Sequence, residues 1–571
     1  MSDRIDQYTK KSPEEKSSSL MFPFICALFL VIGIYAGSFL NSSGRSLVPG
    51  GNNENNPNKL VNIINKIDEM YVDSVEKKEL IDDAIRSILE RLDPHSYYIS
   101  PEEMASMQEP LEGNFEGIGV EFMIQRDTLT VVNPIEGGPS ESAGIAPGDR
   151  IVEVDGEDIA GKGLTNDKVM KLLKGEKGTP VKLGIERRGA EELLVFDIVR
   201  DRIPIYSVVA SVMVSDDVGY IKITRFAKNT YEEFVEGVNA LKSQGAKKLM
   251  IDLRGNGGGY LNSCIPMVEE FLSSGELIVY TEGKSDPRRD YKSRVNGAYR
   301  DMDVVVLINQ GSASASEILA GALQDQDRSI TVGRRSFGKG LVQNEIALPD
   351  ESALRLTVAR YYTPTGRSIQ KPYGEGVDYE NDYLERYDHG ELLSADSIQF
   401  ADSLQFKTPA GRIVYGGGGI MPDIFVPIDT VGASAYLSEL SYSGSFRNYG
   451  FEYVEKHRES LRQYENVDVF IERFDLSNAD LEDFYDSAER DGVMKDRFGI
   501  EQSKEIIKLR IMAYIARNQF GEEAYYRVML EDDNIYRVAF DVINQYEQYV
   551  VTDGKLNLLS QKMLDEQKQL N

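Results

Sequence analysis

At 571 residues the chain is too long for a single hydrophobic core, and its length sets a prior of roughly three or four domains. Hydrophobic residues at 41% and charged residues at 27% are the proportions of globular protein, and a net charge of -29 without a clustered basic run excludes nucleic acid as a partner. Two cysteines, Cys26 and Cys264, exclude a disulfide framework, because Cys26 lies in an apolar segment that cannot share a compartment with Cys264.

No Cys/His cluster has zinc spacing, so neither a metal nor another cofactor is expected. Only His95, His389 and His457 are available to a mechanism that needs an imidazole.

Residues 20–40 form an uncharged, mostly apolar run, preceded by Lys10, Lys11 and Lys16 and followed by Asn41-Ser42-Ser43-Gly44-Arg45. About 20 such residues span a bilayer, whereas a secretory apolar region is typically about 7–15, so residues 1–44 read as a cytoplasmic tail and an uncleaved signal anchor. The lysines favour the N-terminus inside. The expectation is a single-pass protein of the cell (inner) membrane, with the remainder in the periplasm or otherwise outside the cytoplasm. Residues 45–58, rich in Gly, Asn and Pro, read as a flexible linker.

Over 59–111, Leu60, Ile63, Ile64, Ile67 and Met70, then Leu80, Ile81, Ile85, Ile88 and Leu89, recur at helical spacing and predict a small helical region. The stretch 92–100, LDPHSYYIS, ends it. His95 follows Pro94 in a turn, and it reads as a turn histidine holding a local hydrogen bond, without a carboxylate or serine nearby to give it a catalytic constellation. From 112 to 202 the pattern changes to short alternating strands with glycine turns, interrupted by one helical stretch, TNDKVMKLLKG. This ordered set resembles a PDZ domain. The resemblance places the family's carboxylate-binding loop on Gly117, Ile118, Gly119 and Val120, where backbone N–H groups would hold a peptide C-terminus while the peptide joins the sheet edge.

Residues 203–430 alternate strand and helix, which predicts an α/β core with a substantial parallel component. Two glycine-rich stretches in it are not phosphate loops. Gly255-Asn256-Gly257-Gly258-Gly259 lacks the glycine that the dinucleotide fingerprint needs where Tyr260 stands, and after Lys339 a glycine replaces the Ser/Thr that would ligate magnesium. Residues 371–406 have no clean periodicity and read as an insertion or a mobile loop. Residues 431–571 are helical and acidic, without a recognisable motif.

An apolar, β-branched run at 304–310 breaks at Gly311 and enters a helical pattern, the strand-turn-helix unit that sets a side chain and backbone N–H groups at a helix start. Within it, Ser314 and Glu317 form a capping box, in which the serine would only satisfy backbone N–H groups. The small residues around Ser314 equally leave room for a substrate carbonyl, with the Ala315 N–H able to face an oxyanion. A serine nucleophile needs a base, and no histidine sits in a site-like context. A lysine can serve if burial keeps it neutral. Lys339, between Gly338 and Gly340 and beside Phe337 and Leu341, fits that role, as it also fits a solvated lysine in a hairpin turn. On a strand, residues 339, 341 and 343 share a face, so Gln343 could hydrogen-bond Lys339 and aim it.

The motifs DLRGNGGG, GSASASEI, FGKGLVQ, ARYYTPTGRSIQ and GGIMPDI, in this order and downstream of a PDZ-like region, resemble the carboxy-terminal processing proteases, the tail-specific serine peptidases of family S41. The resemblance implies an α/β multidomain chain: a crotonase- and ClpP-like core with an inserted PDZ domain, an N-terminal helical region and a helical C-terminal region. It assigns Ser314 as nucleophile, Lys339 as base 25 positions later, and Gln343 as its support. It puts the oxyanion hole on Ala315 with an amide among Gly257, Gly258 and Gly259, and points to Asp325 as a position implicated in some members. Substrates would be exported proteins or peptides taken by their C-terminal tails, with the membrane met through the anchor and a homo-oligomer or an adaptor protein as further partners. Two other readings stand beside it. A non-catalytic PDZ adaptor or chaperone of the same fold would not need the intact Ser/Lys/Gln set. An acyl-CoA enzyme of the crotonase type would need a basic pocket for the CoA phosphates, which is absent.

Overall fold

Val304 to Ile308 are fully buried, and their alternate side chains serve two different cores. Val304, Val306 and Ile308 face one hydrophobic cluster, and Val305 and Leu307 face another. Such a continuous apolar run suits a strand covered on both faces, as parallel strands are.

The computed structural model describes residues 58–398 and 401–559, and the chain divides into two compact units, 1–81 and 82–571. In the first, the helix Lys59–Met70 buries Ile64. The helices Lys59–Met70, Lys77–Glu90 and Pro101–Glu112 occupy the stretch in which a helical region is expected. All else described below lies in the second unit.

Its central sheet has six strands in the order Val208–Met213, Val218–Ile223, Lys248–Asp252, Asp303–Ile308, Ile330–Gly333 and Ile424–Phe425. The first pair is antiparallel and the other neighbours are parallel. The helices Thr230–Ser243, Leu261–Glu269 and Ala315–Asp325 contribute to the cluster on one face. On the other face Ile535, Ala539, Val542 and Ile543 of the helix Asn534–Asn544 join Tyr220, Met250, Val305 and Leu307. The helical C-terminal region thus supplies the second cover of the central sheet, a role its motif-free sequence does not announce.

A second sheet is organised on the long strand Ala353–Tyr362. It pairs with Leu341–Ala347 along one edge and with Tyr97–Ile99 and Leu277–Glu282 along the other. The stretch at 97–99 is thus a strand and not merely the end of a helical region. The strands Leu277–Glu282 and Arg289–Lys292 have no counterpart in the sequence reading. A third, antiparallel sheet of six strands spans 120–199 with the helix Asn166–Leu173, and Val120–Gln125 is its edge strand. The helices between 435 and 529 enclose a core of their own around Phe446, Phe484 and Ile511. Phe451 of this region packs with Met123 and Val132 of the third sheet, and Arg517 pairs with Glu121 at 2.8 Å.

The stretch expected as an insertion or a mobile loop is tied to the core at two points: the backbone N–H of Lys371 donates to the Gly338 carbonyl at 2.9 Å, and Arg386 donates to the carbonyls of Ser336 and Arg335 at 3.1 and 2.8 Å. One expectation is corrected. The placement as a single-pass inner-membrane protein is not supported: among the described residues no helix is long and apolar enough to cross a membrane, and the anchor expected at 20–40 lies outside them.

Candidate active site

Ser314 stands between the strand Asp303–Ile308 and the helix Ala315–Asp325 with φ 55° and ψ -114°. A non-glycine residue in such a region costs on the order of 1–3 kcal/mol and persists only where its surroundings over-determine it. The neighbouring serines do part of that. Ser312 Oγ donates to the Leu253 carbonyl and Ser316 Oγ to the Asn256 carbonyl, both at 2.8 Å, and both residues are fully buried. Of the three serines in the motif, Ser314 alone is not buried.

The expected capping box is present, but as a hydrogen bond only its Glu317 half is made: the Ser314 N–H donates to Glu317 Oε2 at 2.8 Å, and the Ser314 side chain makes no cap bond. Glu317 does more than cap. Its Oε2 also accepts the Lys339 N–H at 2.8 Å, and its Oε1 accepts the Gly338 N–H at 2.7 Å and Ser336 Oγ at 2.5 Å. Burial pushes its carboxyl up to about 7, while these four donors favour the charged form. The two carbonyls are tied in turn. Tyr361 Oη lies 3.1 Å from the Ser314 carbonyl oxygen and in hydrogen-bond reach of the Lys339 carbonyl, its single proton serving one at a time.

Lys339 is half-buried. Among the described residues its ammonium makes no ion pair and no hydrogen bond, so it is not bonded to Ser314 Oγ. Burial, and after it the nearby Arg355, hold its pKa below the ordinary lysine value against the opposing pull of Glu317 and Asp93. The amine is thus biased toward the neutral form that can take a proton. Gln343 lies close by on the strand Leu341–Ala347, with its Nε2 donating to Thr357 Oγ1 at 3.4 Å.

The glycine run packs directly on the serine. A Cβ on Gly258, at φ 98°, would lie 2.7 Å from Ser314 Cβ and 2.9 Å from the Ala315 nitrogen, so only glycine fits. The Gly258 N–H is committed to Asn256 Oδ1 at 2.8 Å. The N–H groups of Ala315, Gly257 and Gly259 have no acceptor among the described residues. The run begins at Arg254, whose guanidinium grips Asp252 at 2.6 Å and reaches Asp533 of the C-terminal region at 2.7 Å. Burial opposes the Asp252 charge, but Arg254 and Lys222 outweigh it and hold its carboxyl well below the usual range.

Asp325 does not join this group. It ends the helix begun at Ala315, about 16 Å from Ser314 along the axis, and makes a fully buried pair with Arg367 at 2.7 Å. The loop Gly117, Ile118, Gly119 and Val120 lines an apolar groove of about 420 Å³ together with Ile135, Met170 and Leu173. Gly119 has φ 73°, and the N–H groups of Ile118 and Gly119 have no backbone acceptor among the described residues.

Glu317 was legible only as a cap and Tyr361 only as part of a strand. The reading of His95 is corrected. Its Nε2 is 2.8 Å from Tyr379 Oη, and burial, then the charge of Lys339, lower it to about 4. Asp93 and Ser96 of its own turn reach the strand that carries Thr357. The signal was present in the Asp-Pro-His-Ser sequence itself, three polar side chains in four residues.

Residues 217–380 match peptidase family S41, residues 117–197 match the PDZ domain, and residues 436–521 match a family of unknown function. The carboxy-terminal-processing protease of Bartonella bacilliformis is 36% identical over 351 residues, which cover 60% of this chain and 80% of that protein. The carboxy-terminal processing protease CtpB of Bacillus subtilis is 35% identical over 355 residues, or 60% of this chain and 73% of that one. Among solved structures, the photosystem II D1 C-terminal processing protease is 29% identical, with a TM-score of 0.32 over 56% of this chain and 92% of the other. With this likeness extending over most of the relatives' length, the chain belongs to the carboxy-terminal processing proteases, PDZ-bearing serine peptidases of family S41.

Proposed function

We propose that the chain cleaves proteins presented by their C-terminal tails, with Ser314 as nucleophile and Lys339 as general base. The observation that carries this reading is the pair of 2.8 Å hydrogen bonds from the Ser314 and Lys339 N–H groups to one buried carboxylate oxygen of Glu317, which brings a strained serine and a desolvated lysine together across 25 positions of sequence.

A substrate tail enters the groove between Val120–Gln125 and Asn166–Leu173 as an added strand. Its carboxylate takes the N–H groups of the Gly117–Val120 loop, and its terminal apolar side chain takes the pocket of Ile118, Ile135, Met170 and Leu173. Ser314 Oγ attacks the scissile carbonyl carbon as its proton passes to Lys339 Nζ. The Ala315 N–H and an N–H of Gly257 or Gly259 face the oxyanion, the Gly258 N–H being already used. Lys339 then protonates the leaving amine; neutral again, its Nζ takes a proton from water, the hydroxide attacks the acyl carbon, and Lys339 returns that proton to Ser314 Oγ as the ester bond breaks.

The test is cleavage of an unstructured protein by the full chain and by S314A and K339A. Both variants should fold and lose cleavage. Wild-type rates in either would overturn the assignment, and an inactive wild-type chain that still binds the tail would favour an adaptor.

A further inference from the structure

Gln343 heads a hydrogen-bond chain that ends on Asp93. Its Nε2 donates to Thr357 Oγ1 at 3.4 Å, and Thr357 Oγ1 donates to Asp93 Oδ1 at 3.0 Å. A hydroxyl has one proton. Having given it to Asp93, Thr357 can only accept from Gln343, so the amide must turn its NH₂ toward Thr357 and its carbonyl the other way. Asp93 cannot reverse the order. It is buried and acceptor-only, and it also receives Ser96 Oγ at 2.6 Å and the His95 N–H at 2.9 Å. Ser96 Oγ in turn accepts the Thr357 backbone N–H at 3.0 Å, which docks the 93–96 turn on that residue.

Regular strand pairing would not produce this arrangement. The strand Leu341–Ala347 pairs Leu341 with Arg360 and Val342 with Ala359, then passes over Val358 and pairs Gln343 with Thr357. In an unbroken register Val358, which has no polar side-chain atom, would stand opposite Gln343. A bulge of this kind re-aims a side chain, and bulges are enriched beside active sites.

We propose that Asp93 and Thr357 are positioning residues that fix the Gln343 amide with its NH₂ on Thr357, so that its carbonyl Oε1 is the atom left to accept from Lys339 Nζ when substrate is bound, a bond that the structure itself does not hold. The orientation matters to a lysine base. An amine N–H given to Oε1 leaves the nitrogen lone pair free for the Ser314 proton, whereas a flipped amide would donate its own N–H to that lone pair and block it. The proposal rests on the Ser314/Lys339 reading above.

The experiment measures kcat and KM of the full chain on β-casein, an unstructured protein, for T357V, T357S, Q343A and the T357V/Q343A double variant. T357V should lower kcat about 10- to 100-fold with KM within about twofold, the scale of a misplaced catalytic group, and T357S should recover most of it. In the Q343A background T357V should change kcat less than about twofold, because no amide remains to aim. Wild-type kcat in T357V, or an equal loss in both backgrounds, would overturn the proposal. If T357V gives no cooperative melt, T357A replaces it with the same two expectations, since it too removes the hydroxyl that accepts from Gln343. S314A separates the two levels: cleavage by S314A overturns the serine reading itself, while a dead S314A beside a wild-type T357V overturns the relay alone.

Discussion

The Lys339 N–H and the Ser314 N–H meet the same oxygen of Glu317, each at 2.8 Å, so the backbone of the proposed base and the backbone of the proposed nucleophile share one acceptor. The other oxygen holds Ser336 Oγ and the Gly338 N–H. E317Q keeps the shape but replaces one acceptor with a donor. The amide should orient its NH₂ toward Ser336, whose hydroxyl can turn and accept, leaving the Gly338 N–H without an acceptor at a cost of about 1–3 kcal/mol. Denaturant unfolding should show that loss, and kcat should fall more than tenfold as the loop bearing Lys339 shifts. Wild-type kcat in a destabilised E317Q would mean that the shared acceptor is structural only.

Lys339 must be neutral to take a proton, so kcat/KM should rise with pH through its lowered pKa. Two substitutions should move this acid limb in opposite directions. R355Q removes a cation that lowers the lysine pKa, so the limb should move to higher pH; D93N removes an anion that raises it, so the limb should move to lower pH. Shifts of the same sign in both variants would show that another group sets the limb.

Gly258 has no room for a side chain against Ser314 and Ala315. G258A should therefore displace either the glycine run or the serine. The loss in kcat should be about 100-fold or more, the scale of losing an oxyanion donor, while the melting transition stays cooperative. Activity within about threefold of wild type would show that the run can retreat without disturbing the hole.

Met170 lines the apolar groove from the helix Asn166–Leu173. M170E sets a carboxylate beside the pocket that would hold an apolar terminal side chain, and should raise KM about tenfold or more for a substrate with an apolar tail. Its kcat at saturation should be unchanged. An unaltered KM would place tail binding elsewhere.

Much of this arrangement was legible in the sequence. The apolar run at 304–310 announced the strand, and the switch from period 2 to helical spacing announced the serine's turn. Lys339 could be named because two glycines and two apolar neighbours bracket it. What stayed hidden depends on distant pairing. Glu317 has the same local pattern whether it caps a helix or gathers four donors, because three of those donors lie 19–22 positions away. The 93–96 turn acquires its partners only when Tyr97–Ile99 pairs with Ala353–Tyr362, across more than 250 residues. The bulge that sets Thr357 opposite Gln343 leaves no mark in a strand already rich in β-branched residues.

The cover supplied by the helix Asn534–Asn544 has a consequence for the order of synthesis. Met250, Val305 and Leu307 share their apolar cluster with Ile535, Ala539, Val542 and Ile543, and Arg254, at the head of the glycine run, finds one of its two carboxylates in Asp533. A ribosome delivers those residues more than 190 positions after Ser314 and Lys339. The emerging chain therefore carries its serine and its lysine long before it carries the helix that completes the far side of the sheet supporting them.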